Sequence, residues 1–170
     1  IATYVRNTDA DTTSLAGSFA APLNPLLSAL GNYGGPTQTY GLLPGSPALG
    51  AGVTISAAVT DQRGITRATG QKSDIGAFES QGFAYTADSG SGQSAQLMQT
   101  FGSALQVSVV SNDGIANLAG GKVTIAVPGS GASATGTLTQ TLNASNQASY
   151  ILTANDTLGG YNVSVVGGAS

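Results

Sequence analysis

The stretch Gly31-Asn32-Tyr33-Gly34-Gly35-Pro36-Thr37-Gln38-Thr39-Tyr40-Gly41-Leu42-Leu43-Pro44-Gly45-Ser46-Pro47-Ala48-Leu49 restricts the chain more than any other. Each proline fixes its own φ, removes a backbone donor and pushes the preceding residue out of the helical region. Glycines at 31, 34, 35, 41 and 45 divide the remainder into short pieces. Tyr40, Leu42, Leu43, Ala48 and Leu49 still offer apolar area for burial. The expectation is a rigid, non-helical course laid over a hydrophobic surface, as in a cap. Asn24, Pro25 and Gly31 also have the character of an N-cap, a first helical residue and a stop, so a short helix is expected over Pro25–Leu30.

After Glu79 the texture changes. Ser80-Gln81-Gly82 reads as a linker. Alternating apolar segments follow: Phe83–Thr86, Leu97-Met98, Leu105–Val109, Lys122–Val127, Gly136–Leu142, Ala148–Leu152 and Tyr161–Val166. Turn signals such as Ser111-Asn112-Asp113-Gly114, Ala119-Gly120-Gly121 and Asn143-Ala144-Ser145-Asn146 separate them. Short strands at this spacing predict an immunoglobulin-like sandwich over residues 83–170. Its expected core is Leu105, Val107, Val109, Val123, Ile125, Val127, Leu138, Tyr150, Leu152, Tyr161, Val163 and Val165. Tyr161 is the candidate tyrosine corner, with ring in the core and hydroxyl on backbone.

Composition agrees with an all-β chain: 25 glycines in 170 residues and only 8% charged residues, with the long helix-forming side chains sparse. No apolar run is long enough to span a membrane. The five basic residues (Arg6, Arg63, Arg67, Lys72 and Lys122) are scattered and the net charge is −3, so nucleic acid is not an expected partner. Histidine and cysteine are absent. That removes His-based triads, thiol nucleophiles, disulfides, haem and ordinary zinc sites. Lys122 reads as a solvated strand-end lysine rather than half of a Lys–Asn cross-link.

Two regions carry candidate sites. Asn7, Asp9 and Asp11 have the spacing that opens a calcium loop, but Thr12 and Ser18 stand where its glycine and bidentate glutamate belong. A solvated turn is the expectation, calcium the alternative. The second region holds Asp61, Arg63, Arg67, Lys72, Asp74 and Glu79. It reads as a structural clamp of Asp61, Arg63 and Asp74, with Arg63 partly buried on a carboxylate, Asp74 first. Its rival is a carboxylate pair (from Asp61, Asp74 and Glu79) doing acid/base work on a polysaccharide. Tyr33 and Tyr40 are candidates for stacking on a glycan.

Two resemblances extend this reading. Asn24-Pro25-Leu26-Leu27, the Gly31–Leu49 stretch, Thr60-Asp61-Gln62-Arg63-Gly64 and Asp74-Ile75-Gly76-Ala77-Phe78-Glu79 together resemble the choice-of-anchor Q region. That region ends the right-handed parallel β-helix of many large secreted bacterial surface proteins. Tyr40 stands where histidine is common there, and Gly50 where aspartate is common. The resemblance implies that residues 1–80 are terminal coils and cap of a β-helix; the alternation of Ile1, Thr3 and Val5 with Ala2, Tyr4 and Arg6 makes Ile1–Arg6 an expected strand. The order of strands and turns from Phe83 to Gly168, with Leu118-Ala119-Gly120-Gly121-Lys122-Val123-Thr124-Ile125 and Gly160-Tyr161-Asn162-Val163-Ser164-Val165, resembles bacterial immunoglobulin-like repeats of the invasin and intimin type.

The expected function is therefore a non-catalytic structural or adhesive segment at the bacterial cell surface, without a cofactor. Its expected partners are neighbouring domains or like copies of itself. The rivals are a filament subunit and a polysaccharide-binding or polysaccharide-cleaving module. Nothing near Ile1 reads as a cap, so the expectation is a piece of a larger surface protein or a fibre subunit.

Overall fold

The computed structural model describes residues 22–54, 57, 59–67 and 69–166. The strand at Ile1–Arg6 and the calcium candidates Asn7, Asp9 and Asp11 lie outside them. Every element among the described residues is a β-strand, and every strand pairing is antiparallel. The parallel coils expected within residues 1–80 are thus not seen over residues 22–80.

In their place stands a hairpin of β1 (Leu27–Gly31) and β2 (Thr39–Leu42), joined through the Asn32–Gln38 loop. This corrects the helix expected over Pro25–Leu30. Leu26 sits at φ 49°, and its amide donates to the Asn24 side chain at 3.0 Å, so Asn24 closes a turn instead of capping a helix. Leu43 N–H then donates to the Leu26 carbonyl, and Leu26, Leu42 and Leu43 are buried together. A helix of six residues is marginal on its own. Isolated bridges join Thr54 with Lys72 and Thr60 with Thr66.

The second half forms two three-stranded sheets. One has the order β3 (Phe83–Ser89), β4 (Leu105–Ser111), β8 (Gln147–Tyr150). The other has the order β10 (Ser164–Val166), β5 (Lys122–Ala126), β7 (Thr139–Thr141). A small third pair joins β6 (Ala134–Gly136) and β9 (Leu152–Ala154). Alternation sets the facing: Val107 and Val109 from β4, Val123 and Ile125 from β5 and Tyr150 from β8 are buried between the sheets. The Tyr150 hydroxyl donates to the Val123 carbonyl at 2.8 Å, crossing from one sheet to the other.

Several sequence segments split where the chain changes sheet. Gly136–Leu142 is divided between β6 and β7, and Ala148–Leu152 between β8 and β9. Leu97-Met98 is not a strand but a turn, with Met98 at φ 61° and exposed.

The two halves share one core. Leu26, Leu42, Leu43, Ala48 and Phe78 belong to the same buried cluster as the sandwich residues. The Gly/Pro stretch lies directly on the second half. Lys122 N–H donates to the Pro44 carbonyl at 2.7 Å. A Cβ on Gly41 would come within 2.5 Å of the Ile115 side chain, and one on Gly45 (φ 75°) within 2.9 Å of Lys122. These close approaches account for glycine at both positions.

Candidate functional site

The most concentrated chemistry among the described residues is built around Arg63. Asp61 opens a tight turn: its Oδ1 accepts the Arg63 and Ile65 amides at 2.8 and 3.0 Å. Its Oδ2 accepts the Glu79 amide at 2.9 Å and meets the Arg63 guanidinium at 2.8 Å. On its other side the same guanidinium meets Asp113 Oδ1, also at 2.8 Å. Asp113 belongs to the turn after β4, in the second half. Arg63 further donates to the carbonyls of Glu79 and Tyr33, and lies 3.6 Å from the centroid of the Phe78 ring. The side chains of Arg63, Asp61 and Asp113 are 3%, 0% and 1% exposed. One buried cation thus serves two buried carboxylates from different halves of the chain.

Asp74, the carboxylate first expected on Arg63, is elsewhere. Its two oxygens accept the amides of Gly50 and Ser80, each at 2.7 Å. It closes a loop by hydrogen bonding, while Asp61 holds the place beside Arg63 because its own turn sets it two residues away. Arg67 takes Glu79 as its partner and donates to the Asp74 and Gly76 carbonyls. Asp113 was legible in the sequence only as part of an Asn-Asp-Gly turn. Its partner is fifty residues away, and no local spacing marks such a pair.

The electrostatics favour fixed charge over proton transfer. Burial pushes the Asp61 carboxyl up. The Glu79 amide, the Arg63 guanidinium and the Ile65 and Arg63 amides outweigh it and hold the group below its ordinary value. A carboxylate so held is a poor proton donor at neutral pH. Asp113 Oδ2 is also occupied, by the Gln81 amide at 2.8 Å and the Ser80 hydroxyl at 3.4 Å.

The tyrosines divide into structural and exposed. The Tyr33 hydroxyl donates to the Ala29 carbonyl at 2.8 Å, and its ring packs edge-on against Phe78 at 6.2 Å, so it is committed to packing. Tyr40 is exposed and faces Leu30 across the hairpin. Tyr161 packs edge-on against Phe101, and burial raises its pKa. Tyr150, wholly inside the core, carries a hydroxyl bond to backbone across the sheets, while Tyr161 lies at the core's margin.

A second feature is a groove of about 490 Å3 on the flank between β3 and β10. Core residues Val107, Ile125, Tyr150 and Leu152 form its floor, and none of its lining residues is charged. Among the described residues, no group of three or more His, Cys, Asp or Glu side chains is placed to hold a metal ion, and no helix is long and apolar enough to cross a membrane. No protein-family model, curated protein or solved structure matches the chain.

Proposed function

We propose that this chain is a non-catalytic structural segment of an extracellular bacterial surface protein, serving as a scaffold or spacer for an adhesive element. The observation that carries this reading is Arg63, buried between Asp61 of the first half and Asp113 of the second. A cation shared in this way fixes the angle between the halves. Removing it leaves charge buried without a partner, which is strongly unfavourable. Rigid coupling of successive units is what a spacer requires and what a binding loop or a catalytic cleft does not.

Two finer readings belong to the proposal. Residues 83–170 are an immunoglobulin-like sandwich. The order β3-β4-β8 facing β10-β5-β7, all antiparallel, supports this. Residues 1–80 belong to the closing end of a β-helix, of which residues 22–80 are the cap. The Gly/Pro course from Gly31 to Leu49 over a buried apolar surface supports the cap. The partners are neighbouring domains of the parent or like copies of this chain, with no cofactor.

Small-angle scattering on the isolated chain tests the spacer role. A single rigid particle is expected, and Arg63→Ala should broaden it into two hinged units. An already hinged wild type would overturn the reading. Surface location is tested with a membrane-impermeant amine reagent on intact producing cells. Lys72 and Lys122 are exposed and should be labelled; labelling only after lysis would remove the location. Incubation with uronic-acid polymers tests the enzymatic rival. Turnover abolished by Asp74→Asn in a folded protein would replace the structural reading.

A further inference from the structure

Asp113-Gly114 is the one step in the chain where an aspartate or asparagine precedes a glycine. At such a step the following amide nitrogen can attack the side-chain carboxyl, because glycine has no Cβ to hinder the approach. Asp113 is also the carboxylate that the second half contributes to the arginine joint. A reactive step and a mechanical contact thus meet in one residue.

The folded structure holds the carboxyl back from this reaction. Its Oδ1 meets the Arg63 guanidinium at 2.8 Å, and its Oδ2 accepts the Gln81 amide at 2.8 Å and the Ser80 hydroxyl at 3.4 Å. All three partners come from outside the Ser111–Gly114 turn. One of the two oxygens must depart for the reaction to occur, so at least one side of this grip has to let go first. The Gly114 amide is engaged as well, on the Ser111 carbonyl at 3.4 Å. The turn itself offers no obstacle: Gly114 is exposed, with open space where a Cβ would stand.

We propose that Asp113 is a site of spontaneous isomerisation guarded by the arginine joint, and that its conversion makes opening of the joint permanent. The reaction balances with water alone. The Gly114 nitrogen bonds to the side-chain carbonyl carbon of Asp113, and its proton leaves with the carboxyl hydroxyl as water, giving a cyclic imide. Water then adds back and breaks the imide at the main-chain carbonyl, which becomes a free carboxylate. The product is isoaspartate: the chain now runs through Cβ and is one carbon longer across the turn. The new carboxylate sits directly on Cα, one carbon short of the reach that met Arg63. A buried ion group that loses one partner is strongly destabilised, so the halves, once parted, stay hinged. Local opening and closing is fast beside this chemistry, and the rate therefore follows the fraction of time the joint is open.

Peptide mapping with electron-transfer fragmentation, after prolonged incubation at neutral pH, is the test. Wild type should form isoaspartate at position 113 at least about tenfold more slowly than a free peptide of residues 109–118, and Arg63→Ala should approach the peptide. Wild type in urea below its unfolding midpoint gives the same reading without a substitution: isoaspartate should accumulate faster while the β4 amides stay protected from exchange. Wild type isomerised in the unfolded state and then refolded should melt as Arg63→Ala does. Isoaspartyl methyltransferase with its methyl donor, which returns aspartate, should restore the original melting. A wild type as fast as the peptide, a folded Arg63→Ala as slow as wild type, a rate indifferent to urea until β4 itself opens, or an isomerised chain that melts with its parent would each overturn the proposal.

Discussion

Arg63 and Asp113 stand fifty residues apart in the chain and 2.8 Å apart in space, with Asp61 completing the contact from the opposite side. The pair ties a turn of the first half to a turn of the second. It works together with the Gln81 and Ser80 bonds to Asp113, so the linker at 80–82 is stapled as well.

Arg63→Ala should destabilise the protein by about 3–5 kcal/mol, because two buried carboxylates lose their cation. At about 2–4 °C per kcal/mol for a chain of this size, the melting temperature falls by about 6–20 °C. Arg67→Ala should cost less, since the Arg67–Glu79 pair is more exposed. Asp113→Asn keeps the shape and removes the charge, at about 1.5–3 kcal/mol for a lost charged hydrogen bond. Thermal unfolding of the three variants side by side checks the order; equal, negligible shifts for Arg63→Ala and Arg67→Ala would remove the joint from the account.

Acid should open the joint before the sandwich. The folded-state carboxyl of Asp61 lies below its ordinary value of 3.8. Its contribution is therefore complete above about that pH and is lost as pH falls through the lower, folded value. Amide exchange at Arg63, Ile65 and Glu79 should rise in that window while exchange in β4 and β5 stays slow. Asp61→Asn should be loosened at neutral pH and lose this dependence. Opening centred above pH 5 would exclude Asp61 as its origin.

Tyr150→Phe removes the buried hydroxyl bond to the Val123 carbonyl, at a cost of about 0.5–1.5 kcal/mol. Burial, reinforced by the neighbouring Tyr85, pushes the Tyr150 phenol up to about 12. A raised folded-state value means that its stabilisation is complete below about 10 and disappears as pH climbs towards 12. An ultraviolet titration should show one late phenolate step in wild type that the Phe variant lacks.

Gly45→Ala places a side chain at φ 75° and within 2.9 Å of Lys122. The left-handed conformation alone costs about 1–2 kcal/mol. Gly129→Ala, with open space around it, should be neutral. Urea midpoints compare the two; a neutral Gly45→Ala would mean that the stretch does not bear on β5.

The residues expected in the sandwich core, from Leu105 to Val165, are all buried or half-buried in the structure. They were legible because a period of two fixes which face a residue takes before its partner strand is known. The strand ends were not. Gly136–Leu142 reads as one segment, yet its ends serve different sheets, and only the packed sandwich decides where it crosses. The Pro25–Leu30 segment carries sound local helix signals, which lose to the burial of Leu26 against Leu43. The arginine joint was half legible. Asp61 lies two residues from Arg63, within reach of local reasoning. Asp113 is placed by the docking of two distant turns. Tyr150 and Tyr161 have the same chemistry, and only depth in the core separates them.

The distance along the chain between Arg63 and Asp113 has a consequence for biosynthesis. Arg63 is made first, and a ribosome adding about 5–20 residues per second supplies Asp113 about 3–10 s later. During that interval the guanidinium has Asp61 and Phe78 but not its second carboxylate, and Gly41 and Gly45 have no Ile115 or Lys122 to lie on. The first half therefore cannot complete itself in the order in which it is translated. It finishes folding on a template that leaves the ribosome afterwards.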